Sequence, residues 1–473
     1  MNWEQLLCPD RIRTLTRKSS SRDLRTEFEK DYHRIIGSAS FRRLQDKTQV
    51  FPLDKNDFIR TRLTHSLEVS SFAKSLGQNV GEKIVSSGID KDFTLQNKED
   101  ICAILQCAGL IHDIGNPPFG HFGETAIQDW FKKNLSLYTF KEIPIEKVLR
   151  DYNEQMLYDL YNFEGNTQAL RVVNKLHFLV DEHGMNLTKA LLATIIKYPV
   201  ASTQIDKNSG NIITKKMGYF YADKDIFEDI ERSTGTNGCR HPLTYLLEAA
   251  DDIAYKTADI EDSVKKGCID YRRLMEELRG SEEYDNPDSA YRLMVDELEK
   301  KYNKALKMNY EKPDEYAVQN WIVTIQGKML YAASDCFIAN YREIMDGSYK
   351  YDLFHNTEAE TILNILGEIE YKYAFTSKPI YKLEIAADTI FNFLLERFVS
   401  AAVNYDTDEK QSVVGQRMIE LVSDDYRRIY RIFSKDKDET EKLYLRLLMV
   451  TDYISGMTDS FAKNLYQELN GII

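Results

Sequence analysis

The stretch GLIHDIGNPPFGHFGE, residues 109–124, decides the fold class of this chain. The residues before this stretch follow an apolar helical pattern, in which Ile104, Leu105 and Ala108 share one face. His112, within the stretch, takes the next position on that face. A glycine and two prolines follow closely and terminate the helix. The sequence therefore predicts a core helix that ends in a buried histidine followed directly by an aspartate.

Two other segments place metal-binding side chains on apolar helical faces. In residues 60–76, His65 lies one helical turn before Val69 and shares its face. In residues 241–262, Asp251 lies on a face of small, apolar residues. A single histidine on an apolar face is usually a hydrogen-bonded core residue, so it is the conjunction of these segments that points to a site.

Two imidazoles and two carboxylates would meet if the three helices pack together. This set, His65, His112, Asp113 and Asp251, predicts one divalent ion. Nitrogen and oxygen ligands suit Mn or Mg, and also Fe, Ni, Zn or Co. The absence of thiolates from the set argues against a purely structural zinc site.

Tyr255 and Asp259 follow Asp251 at intervals of four residues and continue its face. A buried carboxylate is costly unless it binds something, so Asp259 is a candidate acceptor for a ligand hydroxyl. Tyr255 is a candidate to contact the same ligand, and the alternative is that Tyr255 is ordinary core packing.

The composition favours an all-α protein. Apolar residues recur three and four apart in most long segments, and only 22 Gly and 10 Pro interrupt 473 residues. We predict a catalytic core with its N-terminal segment over 1–270, and a C-terminal helical region over 271–473 that packs on it. A single large domain is the alternative. A small β-hairpin is predicted at 212–221.

Charge and cysteine usage narrow the class of protein further. A net charge of −13 argues against general coating of nucleic acids, although it permits a local basic pocket. The six cysteines include no CxxC pair, which indicates reduced, structural thiols. The chain shows neither a secretory leader nor a membrane-length apolar run, which predicts a cytoplasmic location away from membranes.

Several motifs together resemble the deoxyguanosine triphosphate triphosphohydrolase family, within the HD superfamily of metal-dependent phosphohydrolases. The HD dipeptide alone is weak evidence, whereas the long string HDIGNPPFGHFGE is specific. Residues 271–449 match only diffusely. The motifs are RRLQDKTQVFPL (42–53), RTRLTH (60–65), GLIHDIGNPPFGHFGE (109–124), FEGNTQALR (163–171), EAADDIAY (248–255) and VTDYISGMTD (450–459).

The resemblance implies an HD-domain helical core that hydrolyses a deoxynucleoside triphosphate, dGTP by preference, to the deoxynucleoside and intact triphosphate. It also implies homo-oligomers, hexamers among them, and in some members regulation by nucleotide or single-stranded DNA. Carried over by motif, the metal ligands would be His65, His112, Asp113 and Asp251, with Asp252 as the alternative to Asp251. The catalytic pair would be His121 and Glu124, and the substrate pocket would comprise Gln49, Arg62, Asn166, Lys197, Tyr198, Lys216 (or its neighbour Lys215), Tyr255 and Asp259.

The chemistry of His121 agrees with this role. It lies nine residues after His112, beyond the proline pair, and is not needed to complete four ligands. A group with a pKa near neutrality can protonate the leaving sugar oxygen or activate water, and both roles stay open. Glu124 can orient it if the segment forms one helical turn. The alternative is that His121 only terminates the turn.

Two other functions remain as alternatives. Another HD reaction, such as a nucleotidase or phosphodiesterase, needs the same four ligands but not the HFGE segment. A nucleotide-binding regulatory HD scaffold would tolerate the loss of a ligand, and all four are present. The triphosphohydrolase reaction is therefore the favoured prediction.

Overall fold

The protein is built almost entirely from α-helices, which confirms the predicted fold class. The computed structural model describes residues 1–13, 23–49, 60–178, 180–376 and 378–472, apart from the side chain of Pro379. In its first half the elements are α1 (Trp3–Leu6), α2 (Glu27–Ile36), α3 (Ala39–Arg43), α4 (Arg62–Ser87), α5 (Leu95–Ile111), α6 (His121–Asn134), β1 (Thr139–Phe140), β2 (Ile143–Pro144), α7 (Ile145–Tyr152), α8 (Glu154–Tyr161), α9 (Gly165–Arg171), α10 (Lys189–Ile195), α11 (Lys224–Thr234) and α12 (Pro242–Lys265).

The second half continues as helices of varied length. Short 3₁₀ and π turns connect several of them, including a π turn over Tyr371–Phe375. Within the described ranges, no helix combines the length and the apolar character that crossing a bilayer requires. The helices are α13 (Tyr271–Arg279), α14 (Ala290–Lys307), α15 (Pro313–Ala339), α16 (Tyr341–Asp346), α17 (Glu360–Glu370), α18 (Lys378–Val403), α19 (Val413–Leu421), α20 (Asp424–Phe433), α21 (Glu439–Ser455) and α22 (Asp459–Leu469).

The predicted position of the β-hairpin is wrong. Residues Ile212–Thr214 form a 3₁₀ turn, and Ile212 N donates to Lys350 O at 3.2 Å and not to a neighbouring strand. The hairpin of the structure joins β1 to β2 instead. Its two turn residues, Lys141 and Glu142, both have positive φ, a conformation for which Asn and Gly are the usual choice.

Close packing of α4 against α5 brings the two histidine-bearing segments together. Gly109 faces the backbone of Ser70, and a Cβ atom at Gly109 would lie only 2.5 Å from Ser70 Cα. Glycine at this position therefore permits the two backbones to approach. As a result, the rings of His65 and His112 lie 5.3 Å apart.

The helices after residue 270 share one hydrophobic core with the helices before it. Helix α12 packs on α4 and on α15, and α18 packs on α6. Buried side chains from both halves, such as Leu105, Ile253, Ile325 and Phe398, belong to the same cluster. The C-terminal helices therefore form part of the walls that support the site, while the division at residue 270 stays a prediction.

Candidate active site

Four side chains from three helical segments bring imidazole nitrogens and carboxylate oxygens close together. Asp251 Oδ1 lies 3.2 Å from His65 Nε2 and 3.4 Å from His112 Nε2, and His112 Nε2 lies 3.5 Å from Asp113 Oδ1. Ligand atoms about 2.1 Å from a common ion are about 3.0–3.4 Å apart. The observed spacing therefore fits a divalent ion among them, and His65, His112 and Asp113 meet the geometry of a metal-binding group.

Hydrogen bonding prepares His112 to act as a ligand. His112 Nδ1 lies 2.8 Å from Gly109 O and donates its proton there, which leaves the lone pair of Nε2 for an ion. Among the described residues, the buried Nε2 atom has no hydrogen-bond partner. A buried and unsatisfied nitrogen is costly, and coordination would satisfy it. The donor set thus fits a metal ion by its chemistry and by its spacing.

Asp251 rather than Asp252 faces the two imidazoles. Both aspartates line the same cleft, but Asp251 alone approaches His65 and His112 at the distances given above. Burial raises the pKa of Asp252 to about 7, although the Lys256 charge opposes it. Burial also disfavours ionised Asp251, yet Lys197 and His112 outweigh it and hold its pKa well below the ordinary value.

His121 and Glu124 form a pair at the start of α6, as the helical-turn spacing predicts. His121 Nδ1 lies 2.9 Å from Glu124 Oε2, while Glu124 Oε1 accepts a 2.7 Å bond from Gly165 N. The Glu124 hydrogen bond raises the pKa of His121 against the opposing effect of burial. Its imidazole is 75% exposed, so it can meet a ligand in the cleft while Glu124 stays buried behind it.

Two cations of the cleft are ion-paired with the candidate ligands. Arg62 Nη1 lies 2.5 Å from Asp113 Oδ2, and Lys197 Nζ lies 3.0 Å from Asp251 Oδ2. Burial lowers the pKa of Lys197, but the Asp251 charge outweighs this effect and leaves the pKa raised. Lys197 therefore remains charged beside the candidate ligands.

A third cation lies on another wall of the cleft. Lys216 lines it, as predicted, and its Nζ atom lies 2.7 Å from Glu164 Oε1. The same carboxylate accepts a 2.9 Å bond from Asn166 Nδ2 and caps α9 through Asn166 N. Glu164 thus fixes two predicted substrate-binding side chains at once.

Tyr255 and Asp259 extend the site along α12, but only Tyr255 lines the cleft. Asp259 is 1% exposed behind it, beside the equally buried Glu370 of α17. Within the part of the chain that the structure describes, Asp259 Oδ2 and Glu370 Oε1 have no hydrogen-bond partner. Burial and the Glu370 charge raise the pKa of Asp259 well above its ordinary value.

The cleft has a volume of about 230 Å³. It brings together most of the residues predicted from sequence, whereas His65, His112, Glu124 and Asp259 lie behind its surface. The predicted residues on its surface are Gln49, Arg62, Asp113, His121, Asn166, Lys197, Tyr198, Lys216, Asp251 and Tyr255.

Comparison with known proteins agrees with this geometry. The family model described as HD domain matches residues 62–195, and the Phosphohydrolase-associated domain matches residues 382–468. A Listeria monocytogenes protein named deoxyguanosinetriphosphate triphosphohydrolase-like is 47% identical, with 100% of both chains covered. The chain belongs to the deoxyguanosinetriphosphate triphosphohydrolase-like family.

More distant members of the triphosphohydrolase-like family match over nearly the same length. A like-named Synechocystis protein is 33% identical, with 100% of both chains covered. A Yersinia pestis protein named deoxyguanosinetriphosphate triphosphohydrolase is 30% identical, with 97% of both chains covered. Membership of the family makes this protein an HD phosphohydrolase, and it confirms the resemblance that the motifs indicate.

Several residues of this triphosphohydrolase-like site were not predicted from sequence. Asn116 and Glu164 lie inside the quoted motifs, close in sequence to residues that were predicted. This closeness is the sequence signal that could have identified them as site residues. Phe375 reaches the cleft from the π turn that follows α17, and Glu370 ends that helix. Both come from the region that matches the family only diffusely, where local sequence carries no signal of the site. Phe119 and Phe122 complete the apolar wall.

Proposed function

We propose that this protein hydrolyses deoxynucleoside triphosphates, with dGTP preferred, to the deoxynucleoside and intact triphosphate. One observation carries the proposal: a single cleft combines converging imidazole and carboxylate donors, a histidine–glutamate pair, and three cations. The cations would bind the charged oxygens of a polyphosphate, and the histidine–glutamate pair would protonate the alkoxide, which is a poor leaving group. Both groups must lie beside the imidazole and carboxylate donors, which would bind the metal ion.

The proposed ligands of one divalent ion, Mn or Mg, are His65, His112, Asp113 and Asp251. When bound, the ion supplies Lewis acidity at the α-phosphate. Arg62, Lys197 and Lys216 then bind phosphate oxygens, Arg62 through its planar fork and the two lysines as point charges. The pocket side chains Gln49, Asn166 and Tyr198 complete the binding surface.

His121 is the proposed catalytic residue, and Glu124 is the residue that positions it. The bond that breaks joins the α-phosphorus to the sugar O5′ atom, and water supplies the new oxygen on phosphorus. The imidazole of His121 is exposed to the cleft, where it can donate a proton to O5′ or accept one from water. Glu124 holds Nδ1, so Nε2 is the atom that exchanges the proton.

The product distribution tests the proposal. Purified protein incubated with each dNTP and Mn²⁺ or Mg²⁺ should release nucleoside and triphosphate, dGTP fastest, as resolved by ion-exchange chromatography. In ¹⁸O-labelled water, the label should appear in triphosphate and not in the nucleoside. Release of pyrophosphate or orthophosphate would favour another HD reaction, and binding without turnover would favour a regulatory scaffold.

Sugar selection provides a second prediction. If Tyr255 occupies the space of a 2′-hydroxyl, Tyr255→Ala should narrow the ratio of kcat/KM between dGTP and GTP, mainly by admitting GTP. Steady-state kinetics with both nucleotides measure this ratio. An unchanged ratio in Tyr255→Ala would assign this ring to core packing.

Other properties of the family stay predictions for this chain. They are assembly into homo-oligomers, regulation by nucleotide or single-stranded DNA, and a cytoplasmic location. Each concerns surfaces or partners outside the cleft, so the product analysis does not depend on them.

A further inference from the structure

The C-terminal motif VTDYISGMTD ends in Asp459, the first residue of α22, and this residue lies against the back of the cleft. Its side chain is 1% exposed. Asp459 Oδ1 accepts a 2.9 Å bond from Phe119 N, and Oδ2 accepts bonds from Thr48 N at 3.0 Å and Thr48 Oγ1 at 2.6 Å. One carboxylate from the last helix therefore joins two segments that lie about 70 residues apart in sequence.

The first of these segments is the turn that leads into the catalytic histidine. Phe119 has φ 59° and Gly120 has φ 58°, so two successive residues adopt a conformation that non-glycine side chains rarely take. His121 follows directly as the first residue of α6. A backbone held in this conformation needs a tertiary contact to fix it, and the Phe119 N–H bond to Asp459 supplies that contact.

The second segment carries the substrate-binding residue Gln49. Thr48 pairs with Thr61 in an isolated β-bridge, and Lys47 O accepts a 2.9 Å bond from Arg62 N. Asp459 holds Thr48 from the other side. The position of Gln49, and of the Arg62 backbone beside it, is thus defined by the same carboxylate that fixes the His121 turn.

A second link from the same motif reinforces the arrangement. The buried Lys47 donates to Ser455 O at 2.8 Å and to Asn116 O at 2.5 Å. Ser455 belongs to the motif, and Asn116 precedes the His121 turn and donates to Asp113 Oδ1 at 2.7 Å. The motif is therefore linked to the catalytic segment at two points, directly through Asp459 and indirectly from Ser455 through Lys47.

We propose that Asp459 is a positioning residue that sets the His121 turn and the Gln49 segment in register with each other. The inference rests on the proposed function, because it assigns His121 to the chemistry. The two oxygens of a carboxylate accept all three hydrogen bonds, whereas an asparagine would turn an N–H₂ group towards one of the donors. Replacing Asp459 with asparagine, which is neutral and has the same size, is therefore expected to misplace either the His121 turn or the Gln49 segment.

The test compares Asp459→Asn with Thr458→Ala, using dGTP and Mn²⁺. Thr458 caps the same helix through Phe461 N but does not touch the cleft, so its replacement controls for loss of α22 stability. We expect Asp459→Asn to lower kcat about 10- to 100-fold, the cost of misplacing a catalytic group by a fraction of an ångström to an ångström. The KM of Asp459→Asn should rise a few fold. Thr458→Ala should have the kcat and KM of the wild type when it is assayed below its own unfolding midpoint.

A double variant separates positioning from general destabilisation. If Asp459 acts through His121, Asp459→Asn should lower kcat little in the His121→Ala background, where only the effect on KM through Gln49 remains. An equal loss of kcat in both backgrounds, or a matching loss in Thr458→Ala, would overturn the proposal. If His121→Ala itself leaves kcat unchanged, the proposed function fails instead, so the two failures are distinguishable.

Discussion

Replacement of His112 by alanine is expected to remove the divalent ion and the hydrolytic activity together. His112 Nε2 lies within 3.5 Å of both aspartate ligands, and its Nδ1 proton is already donated to Gly109 O. An alanine leaves three donors and an opening for water, which weakens retention of the ion. Elemental analysis after dialysis, together with triphosphate release, measures both losses in the same preparation.

A histidine outside the cleft provides the matched control for this prediction. His355 is partly exposed beside Glu360, so His355→Ala should keep the ion and the activity. At a hundred-fold excess over its Kd, added Mn²⁺ should increase the free energy of unfolding of the wild type and of His355→Ala by about 2.7 kcal/mol, and their unfolding midpoints should rise accordingly. The unfolding midpoint of His112→Ala should not change. Full metal occupancy in His112→Ala would refute the ligand assignment.

Replacement of His121 by alanine should slow the reaction without releasing the ion. The imidazole points into the cleft from α6 and takes no part in the converging donor set. We expect kcat to fall by about 10²–10⁴, the usual contribution of a positioned acid or base. Metal analysis and calorimetric titration of dGTP should both remain close to the wild type. Loss of the ion, or an unchanged kcat, would contradict the assignment.

The pH dependence of Glu124→Gln distinguishes the two roles that stay open for His121. Because the Glu124 carboxylate raises the pKa of His121, the glutamine variant should lower it. The limb of the kcat profile that reports His121 should therefore move to lower pH in either case. A limb along which kcat falls with rising pH identifies a proton donor, and one along which kcat rises identifies a base.

Sequence predicted the parts of the site that local pattern and motif determine. His65, His112 and Asp251 lie on helical faces whose period places them inward, and the structure brings their donor atoms together. The His121–Glu124 contact follows from three-residue spacing on one helical turn. These features depend on residues close in the chain, or on a motif long enough to be specific.

Tertiary packing explains what sequence did not predict. Glu370 lies more than a hundred residues after Asp259, and only the packing of α17 on α12 brings the two carboxyl groups together. The hairpin was misplaced for a related reason. Lys141 and Glu142 carry no turn signal, while Ile212 donates its backbone N–H to Lys350 O, a residue far away in sequence.

Arg62 and Lys197 are each held by an aspartate that is also a proposed ligand of the ion. Each of these carboxylates turns its other oxygen, Oδ1, towards the imidazoles of the candidate metal site. An ion bound there would draw on the negative charge of the carboxylate and would leave the paired cation more open to a phosphate oxygen. The metal and the nucleotide would then strengthen each other's binding by the same factor.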